Sequence, residues 1–386
     1  MRIALFTETF LPKIDGVVNT LCHLLDHLKA RGHESQLFAP AGGPDAYADT
    51  EVVGLKGMRF PWYRELTVLS PWARVGPQLE AFEPDLVHVL NPFFLGVAGL
   101  RWAARHDVPV VASYHTDVPG YLRRYGYGFL ARPTWRYLRW LHDRAALNLC
   151  PSSVTLAELR REGFRNLELW TRGVDTEAFA PERRSDAWRQ RLTNGDPEAP
   201  LLLYVGRLAP EKRVSWLRPM MEAVPGARLA IVGGGPSQLE LERELSDTRT
   251  VFAGYLRGES LAAAYASADL FVFPSANETF GNVLLEAAAS GLPSVAPRSG
   301  GVVDIVDDGE TGRLVDPDDV KAFTSTVSTL VRDRAAARRM GEMARRRARE
   351  RTWPAVLDGL LESYASRLRR AADRAHSSAA VLPSIC

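Results

Sequence analysis

Along most of the chain, short runs of apolar residues alternate with longer stretches in which apolar positions recur every three or four residues. Residues 3–6, 35–38, 86–89 and 108–113 read as buried parallel strands, and residues 17–31 and 98–106 between them as amphipathic helices. Strand followed by helix, repeated, predicts a parallel sheet covered on both faces, a doubly wound α/β unit. The pattern restarts near residue 200, where residues 201–205, 228–232, 250–252, 270–273 and 294–296 form a second series. Residues 181–200 are polar and bounded by Pro181 and Pro200, which reads as a linker. The expected organisation is an N-terminal Rossmann-like domain over residues 1–180, that linker, a C-terminal Rossmann-like domain over 201–365 whose last helix could cross back, and a tail over 366–386. Two such α/β domains would face each other across a cleft, lined by loops at the carboxyl ends of their strands, where open sheets bind ligands.

Composition narrows the classes of function. The chain of 386 residues is 46% hydrophobic and 24% charged, enough apolar material for two cores. Its net charge of +2 supplies no global field for nucleic acid, so electrostatic partners belong to local patches. Cys22, Cys150 and Cys386 are far apart and odd in number. They suit reduced thiols in a cytosolic setting better than a disulfide framework or a zinc ribbon. The N-terminus lacks a signal-peptide pattern, and no run nears the roughly 20 apolar residues of a spanning helix. A soluble protein able to dock on a membrane is expected.

The strongest chemical signal is Pro274-Ser-Ala-Asn-Glu278-Thr-Phe-Gly281-Asn-Val-Leu-Leu-Glu286. A strand ends, a small polar loop follows, and a helix is expected to begin near Thr279 or Phe280. Free N–H groups at a helix start favour an anion. Glu278 and Glu286, eight residues apart, would stand about 12 Å apart at helical rise, a suitable reach for sugar hydroxyls at one end and ribose hydroxyls at the other. A capping Glu278 and a solvated Glu286 are the plainer alternative. The second signal is Val205-Gly206-Arg207-Leu-Ala-Pro210-Glu211-Lys212, just after a strand. Arg207 as a fork and Lys212 as a point charge suit a pyrophosphate, or are ordinary surface charges. Gly16 after Asp15 lets backbone approach a ligand, while Asp15 itself reads best as a helix cap. His115, after an apolar strand, is either a sugar contact or a structural donor.

Weaker patterns are set aside. Gly233-Gly234-Gly235-Pro236 lacks the full dinucleotide spacing and reads as a tight turn. His23 and His27 read as exposed helical residues, and the aspartates near 307 and 316 as turns, so no metal and no cofactor are implied. Residues 121–144 mix Arg123, Arg124 and Arg136 with Trp140 and other aromatics. An anionic membrane surface suits that mixture; core packing and RNA binding are the alternatives.

Together these motifs resemble the family 4 glycosyltransferases of the GT-B fold, over nearly the whole length. Glu278 to Glu286 matches that family's glutamate, seven residues, glutamate signature, Gly206 to Lys212 its phosphate-binding Arg/Lys motif, and Arg172-Gly173-Val174-Asp175 a further element. The resemblance implies a retaining, metal-independent hexosyltransferase. Arg207 and Lys212 would hold the donor diphosphate, Glu286 the ribose and Glu278 the transferred sugar. Amides of Phe280, Gly281 and Asn282 would meet sugar and phosphate oxygens, with Gly16 under the phosphates and His115 beside the anomeric carbon. Met1 to Gly16, Ala112 to Thr116 and Leu169 to Asp175 resemble bacterial sulfoquinovosyltransferases, whereas Tyr114 to Gly120 and Glu278-Thr279-Phe280 resemble lipid α-mannosyltransferases. The implied partners are a nucleotide sugar, a lipid acceptor such as diacylglycerol or a glycolipid, and the inner face of the cell membrane. Transfer from UDP-sulfoquinovose to diacylglycerol is favoured over transfer from GDP-mannose. A non-catalytic sugar- or nucleic-acid-binding module is the alternative of another class.

Overall fold

The computed structural model describes residues 1–13, 15–60, 63–90, 92–124 and 126–380. Contacts divide it into two units, one formed by Met1–Thr171 with the chain from Val356 onward, the other by Arg172–Ala355.

The first unit contains β1 (Arg2–Thr7), β2 (Glu34–Pro40), β3 (Ala46–Tyr47), β4 (Thr50–Leu55), β5 (Met58–Phe60), β6 (Tyr63–Val68), β7 (Leu86–Leu90), β8 (Val110–Ser113), β9 (Leu147–Cys150) and β10 (Leu167–Leu169). Eight of these form one sheet in the order β10-β9-β8-β7-β1-β2-β4-β3, while β5 and β6 pair separately. All its neighbours are parallel except β3 on β4. The expected strand at 108–113 starts two residues late because Pro109 has no N–H for the ladder; its carbonyl still accepts from Val87 at 3.0 Å. The connection reverses direction between β1 and β7, which places the loops after these strands at the sheet's switch point.

The second unit contains β11 (Leu201–Val205), β12 (Arg228–Val232), β13 (Thr250–Gly254), β14 (Leu270–Val272), β15 (Ser294–Pro297) and β16 (Gly312–Val315), in the order β13-β12-β11-β14-β15-β16 and parallel throughout. The run Leu201-Leu-Leu-Tyr-Val205 is apolar at every position because both faces are covered. Leu201, Leu203 and Val205 enter one core cluster, Leu202 and Tyr204 the other. Here the switch point lies between β11 and β14, so the loops carrying Arg207 and Glu278 are brought side by side.

Two expectations change. Residues 181–200 are not an open linker: helix Asp186–Leu192, capped by the Ser185 hydroxyl, sits on the second unit. Its Arg189 is buried and donates to the carbonyls of Ser267 (2.7 Å), Pro197 (2.9 Å) and Ala199 (2.6 Å) and to Asp269 Oδ2 (2.8 Å). Helix Trp353–Ala380 crosses the division, so most of it belongs to the first unit rather than to a frayed tail.

His27 is also not exposed. It lies on the buried face of helix Gly16–Ala30, with Nε2 2.8 Å from Asp358 Oδ1 on that last helix. The same carboxylate accepts from Arg31, whose hydrogen bond holds the Asp358 carboxyl below its usual range.

Candidate active site

In the second unit, β11 runs out into Gly206, and Pro210 opens a single 3-10 turn, Pro210–Lys212, that ends on Lys212. The turn is backed by the triple glycine. A Cβ on Gly233 would lie 2.1 Å from the Gly206 carbonyl oxygen, and one on Gly235 would lie 2.3 Å from that of Leu208. Leu208 N–H donates to the Gly234 carbonyl at 3.0 Å. The Gly233-Gly234-Gly235 segment is therefore the platform under the Arg207 loop. The Arg207 guanidinium is exposed, 3.9 Å from Glu211 Oε1.

After β14, the loop brings Glu278 onto Lys212: the ammonium donates to Glu278 Oε1, which also accepts from Ser275 Oγ at 2.9 Å. Both partners are largely buried, with side-chain exposures of 21% and 16%, so the pair is shielded from solvent. The loop is held from beneath by Gly300-Gly301. Gly301 N–H donates to the Glu278 carbonyl at 2.9 Å, and a Cβ on Gly300, whose φ is +55°, would fall 2.1 Å from that oxygen.

The helix expected from Thr279 or Phe280 begins later, at Asn282, and runs to Ala289. Gly281 at its N-cap takes φ +103°, a left-handed conformation that favours glycine, and its lack of a side chain leaves the helix start without a side-chain cap. Glu278 and Glu286 therefore do not share one helix, and the helical-rise estimate of their separation does not apply. Phe280 is buried in the core beside them. Glu286 is not solvated. It is mostly buried, its Oε2 accepts from the Tyr265 hydroxyl at 2.9 Å, and burial pushes its carboxyl up to about 7 against the opposing effect of that bond.

In the first unit, Asp15 is the N-cap of Gly16–Ala30 and accepts from the N–H groups of Val17 and Val18, each at 3.0 Å. Gly16 is the exposed first residue of that helix. His115 is buried just beyond β8, with Nε2 2.8 Å from Ser113 Oγ and its ring edge-on to Trp170 at 5.7 Å. Glu8, which sequence reasoning passed over, follows β1. Its Oε1 accepts from the N–H groups of Phe94 and Leu95, both at 2.7 Å, at the start of helix Leu95–Arg105. Burial raises its carboxyl pKa against those bonds.

The basic stretch separates into two faces. In helix Ala131–His142, Ala131, Trp135, Leu138, Leu141 and His142 are buried, while Arg136, Tyr137, Arg139 and Trp140 are exposed. Core packing thus accounts for one stripe and leaves an arginine-aromatic stripe outside. Arg144 lies over the Trp140 ring at 3.8 Å. Arg123 is exposed on helix Val118–Arg124; the Arg124 side chain and Tyr125 lie outside the described residues. Trp140, Arg144 and Arg101 also line a cavity of about 430 Å³ whose walls include Val97, Leu100 and Leu141.

Among the described residues, no group of three or more His, Cys, Asp and Glu side chains could hold a metal ion, and no helix is long and apolar enough to cross a membrane. Gly300-Gly301, Tyr265 and Ser275 were missed in the sequence. Only the double glycine carried a signal there, as a pair that tolerates close backbone approach.

Residues 14–178 match Glycosyltransferase Family 4, and residues 199–333 match Glycosyl transferases group 1. A GDP-mannose-dependent alpha-mannosyltransferase of Mycolicibacterium smegmatis is 40% identical over 97% of this chain and 100% of its own. The sulfoquinovosyl transferase SQD2 of Arabidopsis thaliana is 38% identical over 92% of this chain and 71% of its own. The sucrose-phosphate synthase of Thermosynechococcus elongatus superposes with a TM-score of 0.76 at 23% identity, over 95% of this chain and 98% of that one, a likeness of fold. With two parallel α/β units of GT-B type and relatives matched over nearly its full length, the chain belongs to the family 4 glycosyltransferases.

Proposed function

We propose that the protein transfers a hexosyl group from a nucleotide sugar to a lipid acceptor at a membrane surface, with retention of anomeric configuration and without a bound metal. The observation that carries the donor half is the shielded Lys212–Glu278 pair at the switch point of the second unit, beside a helix start that has no side-chain cap. A diphosphate entering there would take over the Lys212 ammonium and the first-turn N–H groups, with Arg207 adding a fork. Release of Glu278 from Lys212 leaves its carboxylate for sugar hydroxyls. Glu286 retains Oε1 for the ribose, since Tyr265 engages Oε2. As the donor bond breaks, the two cations stabilise charge gathering on the leaving diphosphate, the work a divalent ion does elsewhere. Among the described residues no enzymic nucleophile stands out, which suits a front-face path in which the leaving phosphate takes the acceptor proton.

The lipid half is supported by the exposed arginine-aromatic stripe of the first unit and by relatives named for glycolipid synthesis, among them an alpha-monoglucosyldiacylglycerol synthase of Streptococcus pneumoniae. UDP-sulfoquinovose with diacylglycerol is the favoured pair. The Glu278-Thr279-Phe280 sequence and the mannosyltransferase matched end to end favour GDP-mannose as the second reading.

The test is thermal unfolding with UDP, GDP and ADP, with and without magnesium. A nucleotide at 100 times its Kd adds about 2.7 kcal/mol of stability. Metal-independent stabilisation by UDP supports the first donor and by GDP the second. No stabilisation by any nucleotide refutes the transferase site as drawn.

A further inference from the structure

A line of buried polar groups runs through the first unit that the donor site does not use. Tyr364, on the last helix, lies 2.6 Å through its hydroxyl from His88 Nδ1. His88 Nε2 is 3.0 Å from Ser113 Oγ, and Ser113 Oγ is 2.8 Å from His115 Nε2. Tyr364 and His88 have no exposed surface at all, Ser113 has 1% and His115 has 6%. Trp170 packs edge-on or tilted against both histidine rings, at 5.6 and 5.7 Å. The four groups come from β7, β8, the loop after β8 and a helix more than two hundred residues later, so no local motif announces them.

Such a line can be ordered in two directions, and the buried end decides between them. Among the described residues the Tyr364 hydroxyl has one hydrogen-bond partner, His88 Nδ1. If Tyr364 accepted from His88, its own O–H would be left unpaired in the interior, a costly arrangement. Tyr364 therefore donates, and His88 Nδ1 accepts. Burial holds the His88 imidazole neutral, so its single proton is on Nε2, which donates to Ser113 Oγ. Ser113, already accepting, donates its own hydrogen to His115 Nε2. A neutral His115 then carries its proton on Nδ1. A doubly protonated His115 would set two N–H groups against one serine oxygen and leave the serine hydrogen misplaced.

We propose that Tyr364, His88 and Ser113 are positioning residues that fix His115 as the neutral Nδ1–H tautomer, so that it serves as a hydrogen-bond donor and not as a general base. The consequence for turnover rests on the reading of His115 as a contact of the transferred sugar. In that role a fixed donor holds a hydroxyl of the transferred sugar in one orientation, and it cannot remove a proton from the acceptor. The acceptor proton must then leave by another route, which agrees with a leaving phosphate that collects it.

The test is nitrogen-15 NMR of the full-length protein labelled at histidine, on the wild type, Ser113→Ala, Ser113→Thr and Tyr364→Phe, with His115 assigned through His115→Ala. The expected wild-type signal is a protonated Nδ1 and an unprotonated Nε2. Ser113→Ala removes the donor to Nε2 and should give a mixture of tautomers, whereas Ser113→Thr keeps the hydroxyl and restores the single form. Tyr364→Phe frees the direction of the line and should also give a mixture, which keeps the test decisive where Ser113→Ala does not fold. Transfer from UDP-sulfoquinovose or GDP-mannose to diacylglycerol vesicles should fall in kcat by about 10- to 100-fold in Ser113→Ala, with KM for the donor within about twofold. A wild-type His115 protonated at Nε2, or tautomers unmoved by both substitutions, overturns the proposal. Full activity in His115→Ala overturns instead the reading of His115 as a sugar contact, and the NMR result separates the two.

Discussion

Replacing Glu286 by glutamine removes a carboxyl whose ionisation burial holds back to about 7, while keeping an acceptor for the Tyr265 hydroxyl 2.9 Å away. If ribose hydroxyls donate to this carboxylate, the ionised form is the one that binds the nucleoside. At a pKa of about 7, about a tenth of the groups are ionised at pH 6 and about nine-tenths at pH 8. The affinity for UDP or GDP should therefore rise about tenfold over that interval, about 1.4 kcal/mol, beyond the change due to the phosphate itself. Calorimetric titration of the wild type and Glu286→Gln across pH 6 to 8 isolates the difference, because both share the phosphate contribution. Stability moves the other way. A carboxyl lifted from 4.5 to about 7 contributes fully below pH 4.5 and loses that contribution as pH rises through 7, a change of about 3 kcal/mol. Glu286→Gln should thus be the more stable protein at pH 8 and lose its advantage near pH 4.5. Identical pH profiles for the two proteins in nucleotide affinity would refute the ribose assignment; identical profiles in stability would refute the buried carboxyl.

Two further outcomes follow from the geometry. Gly300→Ala places a Cβ 2.1 Å from the Glu278 carbonyl oxygen at φ +55°, whereas Gly309→Ala, at φ +83°, meets nothing within 4 Å. Both carry backbone strain of about 1–3 kcal/mol, but only Gly300→Ala should also weaken nucleotide-sugar binding, as read by calorimetry. Replacing Arg123 and Arg136 by glutamine removes two exposed charges, each worth about 1 kcal/mol at an anionic bilayer, so vesicle binding should weaken about 30-fold at low salt and converge with the wild type at high salt. Unchanged binding would leave the exposed stripe without a membrane role.

Strands β1, β2, β7 and β8 of the first sheet and β11 to β15 of the second were legible as apolar runs, because a parallel strand covered on both faces can be apolar at every position, as in Leu201 to Val205; β3, β4, β9, β10 and β16 were not. The loops carrying Arg207 and Glu278 were legible for the same reason, since each follows such a strand directly. Where the helix after Glu278 begins was not, because a left-handed Gly281 ends the loop and nothing in the local pattern distinguishes it from a glycine one turn into a helix. Glu286 meets the Tyr265 hydroxyl and His27 meets Asp358, contacts between residues far apart in sequence that periodicity does not report. Residues 181–200 read as a linker because they are polar and charged with a proline at each end. The Arg189 guanidinium instead stays buried by serving four acceptors, a hydrogen-bond count invisible in composition.

The placement of the last helix in the first unit has a bearing on how the protein is made. A ribosome delivers β1 through β10 first and then the whole of the second unit before it reaches Asp358 and Tyr364. Until then His27 and Arg31 lack their carboxylate, and His88 faces the interior without its phenol. The first-born half of the chain is thus the last to be finished, and it waits with its strands made but its last helix missing while the second unit folds.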